Sequence, residues 1–178
     1  MKKIDFRNDV LPLKNMLFRL AQRITLNREE AEDVVQETML KIWNVRDEWQ
    51  NIDSIEAYSL RICRNLAIDK TRAKANENLS LDEKTEQGYE RLDTSSEANP
   101  EHQAIVRDKV EQVKRLIEAL PEKQRSIIQL RDFEGKPYKE IAEILGITEQ
   151  QVKVYLFRAR HTIKEKYIAT DNYGLQIH

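Results

Sequence analysis

The chain has 178 residues, 40% hydrophobic and 34% charged, with 4 Gly and 4 Pro. That length allows two small helical modules, and so few helix-breaking positions argue against an all-β protein. A net charge of -1 announces no nucleic-acid partner, so the distribution of charge carries the information.

Met1 to Val10 is charged and lacks the apolar stretch of a signal peptide. No apolar run reaches membrane-spanning length, so the expected location is cytoplasmic, without membrane insertion. Residues 8–26 predict a helix: Val10, Leu13, Leu17, Leu20 and Ile24 follow the three-and-four spacing of one apolar face. Asn27 is placed to cap a second helix, with Glu30 at its third position. That helix runs to about Val45, burying Ala31, Val34, Val35, Thr38 and Ile42. Asp33, Gln36, Glu37 and Leu40 then lie outward, an acidic and partly apolar stripe suited to a basic partner.

Residues 46–54 break the period and read as a loop. A third helix, Ile55 to about Lys74, buries Leu60, Cys63, Leu66 and Ala67. Arg61, Asn65, Asp69 and Arg72 share one of its faces, and cations with amides on one stripe suit phosphates and base edges. Trp49 and Tyr58 lie nearby and have the chemistry to stack on exposed bases, although a core role is the ordinary one for Trp49. Residues 61–75 carry five cations against Asp69 alone. Residues 76–103 carry eight acids against Lys84 and Arg91 and predict a flexible linker.

A second helical set starts near Ala104. Ile105, Val106, Val110, Val113, Ile117 and Leu120 mark one helix, stopped by Pro121. Another starts at Pro121 and buries Ile127, Ile128 and Leu130, ending near Gly135. Pro137 to Leu145, the break at Gly146, and Thr148 to about Tyr167 then form a helix-turn-helix. Ile141, Ala142 and Leu145 face inward, Gly146 permits a left-handed turn, Ile147 plugs the joint, and Thr148 with Gln151 makes a capping box. Val152, Leu156, Ala159 and Ile163 bury the second helix. Its outward residues are Glu149, Gln150, Lys153, Val154 and Phe157. Gln suits adenine and Lys suits guanine acceptors, while Arg158, Arg160 and Lys164 suit phosphates.

AEDVVQETMLKIW (31–43), AYSLRICRNLAIDKTR (57–72) and the segment from Leu120 to Lys164, in this order, resemble an extracytoplasmic-function sigma factor of the sigma-70 family. The resemblance covers about 8–168. It implies an all-α fold with region 2 over 8–75, a linker over 76–103 and region 4 over 104–170. It also implies core RNA polymerase (β′ clamp helices and β flap), promoter DNA and an anti-sigma factor as partners, with no cofactor, metal or enzymatic activity. Asp33, Gln36, Glu37, Leu40 and Trp43 become polymerase contacts. Arg61 and Asn65 fall at the -10 element, with Trp49, Asn51, Tyr58 and Arg72 beside them. The loop Asp47 to Glu56 matches one that captures a flipped base. Thr148, Glu149, Gln150, Lys153, Val154, Phe157, Arg158 and Arg160 fall at the -35 element. Val154-Tyr155 departs from the family's common Ser-Arg, and Ser59 stands where Tyr is common.

Two other classes fit less well. A stand-alone helix-turn-helix regulator would need a receiver or ligand domain ahead of the motif, and no βα alternation is present. An enzyme would need converging carboxylates, a phosphate loop or metal-spaced His102, His161 and His178, and these patterns are absent. The single Cys63 excludes an intramolecular disulfide and is expected to be a buried apolar residue.

Overall fold

The computed structural model describes residues 3–78 and 100–175. These residues form helices and tight turns, with no strand among them. The first helix, α1, spans Lys14–Thr25, later than the periodicity suggests. Before it the chain makes two tighter turns, Phe6–Val10 and Leu11–Leu13. Pro12 has no N–H to give a regular helix. The Asp5 carboxylate caps the first turn through the amides of Arg7 at 2.8 Å and Asn8 at 3.4 Å. Leu26 ends α1 in the left-handed conformation, φ 56°.

Asn27 then caps α2, Arg28–Asn44, by accepting the Glu30 amide at 3.0 Å. The Glu30 carboxylate reaches Lys74 at 3.2 Å. All five residues expected inside α2 are buried, and the Thr38 hydroxyl donates to the Val34 carbonyl at 2.6 Å, leaving no orphan polar group there. The expected loop after α2 is wound into a tight turn, Arg46–Asn51. Its reason is Trp49, which packs with Phe6 and Trp43, ring centroids 6.4 Å away in both cases. Helix α3 spans Ile55–Asn78.

The second set contains α4 (Pro100–Glu118), α5 (Glu122–Ile128), α6 (Tyr138–Leu145) and α7 (Glu149–Leu175). Residues 76–78 and 100–103, expected in the linker, are helical; the rest of that segment lies outside the described residues. Ile105, Val106 and Val110 lie on α4 as expected but are exposed, whereas Ile117 and Leu120 are buried. Helix α5 continues as one wider turn through Phe133, then turns at Gly135.

The two sets do not keep separate cores. One cluster of buried residues runs from Leu17, Leu20 and Cys63 through Ile127 and Leu130 to Leu156. Polar contacts close the same seam. Arg64 donates to both Glu122 oxygens at 3.1 and 3.0 Å. Arg19 does the same to Glu134 at 2.6 and 2.9 Å, which raises the Arg19 pKa through those hydrogen bonds against a smaller loss from burial. Arg125 donates to the Ile24 carbonyl at 3.3 Å, and Lys136 pairs with Glu56. Cys63 is fully buried on α3, its thiol donating to the Leu17 carbonyl of α1 at 3.3 Å. Burial pushes that thiol's pKa up to about 12.

Candidate nucleic-acid interface

The helix-turn-helix is built from α6 and α7. Pro137 precedes α6 in extended conformation, and Gly146 closes it at φ 69°. A Cβ at Gly146 would meet nothing within 4 Å, so only the backbone angle demands glycine there. Thr148 and Gln151 form a reciprocal capping box: the Gln151 amide donates to the Thr148 hydroxyl at 3.1 Å, and the Thr148 amide to Gln151 Oε1 at 2.9 Å. Ile141, Ala142, Val152, Leu156 and Ala159 are buried between the two helices and their neighbours.

This packing leaves Thr148, Glu149, Gln150, Lys153, Val154, Phe157, Arg158 and Arg160 all exposed. Their surroundings differ. Lys153 Nζ lies 5.5 Å from the Tyr138 ring centroid, with the Arg131 guanidinium 4.3 Å from the same ring. Phe157 stacks on His161 at 5.9 Å with the planes 7° apart. Arg160 is exposed but already has a partner. Both its Nε and its Nη2 donate to Asp132, the former at 3.1 Å, and this raises its pKa. It ties α7 to the turn after α5.

On α2, Asp33, Gln36, Glu37, Leu40 and Trp43 are exposed together, Leu40 at 62% and Trp43 at 44%. Trp43 is steadied by Phe6, edge-on at 5.3 Å, and by Arg46 at 4.7 Å. Asp33 makes one ion pair, to Lys70 at 3.3 Å.

On α3, Arg61, Asn65 and Arg72 are exposed, as is Asn51 before it, and Tyr58 is half-buried. Trp49 needs correction as a base-stacking group. It is 8% exposed, its Nε1 donates to the Ile42 carbonyl at 3.0 Å, and neither ring face is open to a base. The basic run of 61–75 is also thinner than its composition suggests. Arg64, Lys70 and Lys74 are each paired with a carboxylate, and among the described residues Arg61 and Arg72 form no ion pair. Sequence reasoning missed Glu122, Glu134 and Tyr138, whose partners are distant in the chain or on other elements, and His161, whose partners Phe157 and Glu165 lie one turn away on α7.

A capped helix-turn-helix with an exposed outer face, beside a second helical unit with an exposed acidic and apolar stripe, has the form of a DNA-binding protein with a separate docking surface. Family models for sigma-70 region 2 and for sigma-70 region 4 match residues 10–77 and 110–163. The chain is 32% identical over 143 residues to the ECF RNA polymerase sigma-E factor of Salmonella typhimurium, covering 77% of this chain and 73% of that one. It is 27% identical over 157 residues to the RNA polymerase sigma-H factor of Pseudomonas aeruginosa, covering 86% and 81%. In fold it is similar to the sigma factor RpoE solved with the anti-sigma factor NepR from Bartonella quintana. There the TM-score is 0.75 at 23% identity, over 94% of this chain and 98% of that one. The chain belongs to the extracytoplasmic-function sigma factors of the sigma-70 family. It directs transcription initiation through core RNA polymerase and is not itself an enzyme.

Proposed function

We propose that α2 docks on the β′ clamp helices of core polymerase through Asp33, Gln36, Glu37, Leu40 and Trp43. The carrying observation is the exposure of Leu40 and Trp43 on a helix whose other apolar positions are packed inside. Large apolar groups on a helix that also exposes Asp33 and Glu37 fit a basic, partly apolar partner. Arg61, Asn65 and Arg72 on α3, with Asn51 and Tyr58, engage the -10 element. The exposed N-terminal half of α7 enters the -35 duplex, with Gln150 and Lys153 at base edges and Arg158 on phosphate. The β flap holds region 4, and residues 76–103 tether the two units.

These roles require the closed seam to open. Elements at -10 and -35 lie roughly 25 base pairs apart, or about 85 Å at ~3.4 Å per pair. A compact chain of this length has a radius of gyration of only about 16 Å. Polymerase therefore binds a form in which Arg64 and Glu122 have parted, and affinity for core supplies the shift. The similar chains RpoE and CnrH were solved in complex with NepR and with the cytosolic domain of CnrY; for this chain, an anti-sigma factor would act by holding the closed form.

The test pairs Gln36→Ala with Glu37→Lys. Both residues are exposed, so the double variant should unfold at the wild-type midpoint yet bind core polymerase at least tenfold more weakly (about 1.4 kcal/mol). Run-off transcription should fall in parallel at subsaturating factor. Unchanged affinity for core would remove α2 from the docking face.

A further inference from the structure

The centre of the outward face of α7 is apolar. Val154 is 42% exposed and Phe157 71% exposed, the latter the most exposed large hydrophobic residue among those described. The two are three positions apart and so share one helical stripe. Lys153 and Arg158 flank them, each one turn from one member of the pair. Over the same turns the helix buries Val152, Leu156 and Ala159 on its opposite face, so the exposed pair is not a failure of patterning.

Phe157 is also not loose. Its ring lies parallel to His161, and His161 Nε2 sits 3.0 Å from Glu165 one turn further on. An exposed ring held in one orientation loses little conformational freedom when a ligand covers it. The flanking cations select an anionic ligand, and the capped helix start beneath them gives the geometry of a major-groove reader. In that groove the apolar group that distinguishes one base from all others is the 5-methyl of thymine.

We infer that Val154 and Phe157 form an apolar reader of thymine 5-methyl groups in the duplex that α7 enters. This rests on the assignment of α7 to the -35 element. The chain then has two kinds of base contact on one stripe: hydrogen bonds from Gln150 and Lys153, and methyl contacts from Val154 and Phe157. His161 is a positioning residue that fixes the Phe157 ring.

The experiment uses the full chain bound to core RNA polymerase and a pool of duplexes randomised across the upstream element. Sequences enriched from the pool are remade with deoxyuridine in place of one thymidine at a time, which removes a methyl and leaves base pairing intact. At one or two upstream positions the substitution should weaken capture about fourfold, the worth of one buried methyl-sized group. In Phe157→Ala or Val154→Ala, both exposed and expected to fold, thymidine and deoxyuridine should be captured equally at the affected position. In His161→Ala the thymidine preference should shrink, and His161→Phe, which keeps a stacking ring, should restore it. Enriched elements without thymine would overturn the inference, as would deoxyuridine captured like thymidine. A thymidine preference that survives both alanine variants would assign the methyl contact elsewhere and also overturn it. If no sequence is enriched from the pool, the -35 assignment itself fails.

Discussion

Replacing Glu122 with Ala should loosen the seam between the two helical sets without disrupting either. The Arg64 side chain is 7% exposed and gives its Nε and Nη2 protons to the two Glu122 oxygens, while Glu122 is 27% exposed. Truncating the carboxylate leaves an enclosed guanidinium without a counter-charge. For a fully enclosed pair that costs about 3–5 kcal/mol. Water reaches the Glu122 side, so about 2 kcal/mol is expected here. The Ser126 hydroxyl, which donates to Glu122 at 2.7 Å, loses its acceptor as well. A change of 2 kcal/mol shifts a closed-to-open ratio about thirtyfold. Urea denaturation should show the lower stability, and small-angle scattering a radius of gyration above the roughly 16 Å of the compact chain. The double variant Arg64→Met with Glu122→Ala should recover most of the loss, because no bare charge remains. If the single variant costs less than about 0.5 kcal/mol, or the double variant is no better than the single one, the pair does not hold the seam.

Three further outcomes follow from local geometry. Gly146→Ala should cost about 1 kcal/mol in thermal or urea unfolding, from φ 69° alone, since no atom crowds the new methyl. Thr148→Ala should cost about 1 kcal/mol through loss of the capping box, and Thr148→Ser should restore most of it. Cys63 should resist iodoacetamide in the native protein. Its thiol stays neutral to about pH 12 when folded, whereas the unfolded chain ionises near pH ~8.5, so stability should fall by about 1.4 kcal/mol per pH unit between them. Cys63→Ala should flatten that alkaline slope.

Helices α2 and α3 and the helix-turn-helix were legible because each states its core locally. Val34, Thr38 and Ile42 repeat at helical spacing, and Gly146, Thr148 and Gln151 stand within six positions of one another. The seam was not legible. Arg64 reads as one more cation in a basic run, and its partner lies 58 positions away. The Arg160 pairing was hidden for the same reason: Asp132 is 28 positions distant, so composition does not announce that this exposed cation already has a partner within the fold. Trp49 sits in a stretch without periodicity, and only the arrival of Phe6 shows why it turns inward. On α4 the period was read correctly, yet period alone does not say whether a neighbour covers Ile105 and Val110.

The clustering of Phe6, Trp43 and Trp49 has a practical use. Both of the chain's tryptophans lie in that one corner, their ring centroids 6.4 Å apart. Intrinsic emission excited at the indole band therefore reports a single locality and is nearly blind to the half that carries α7. Trp43, half in water at the rim of the acidic stripe, should change colour when a protein lands there, while Trp49 supplies a steady internal background.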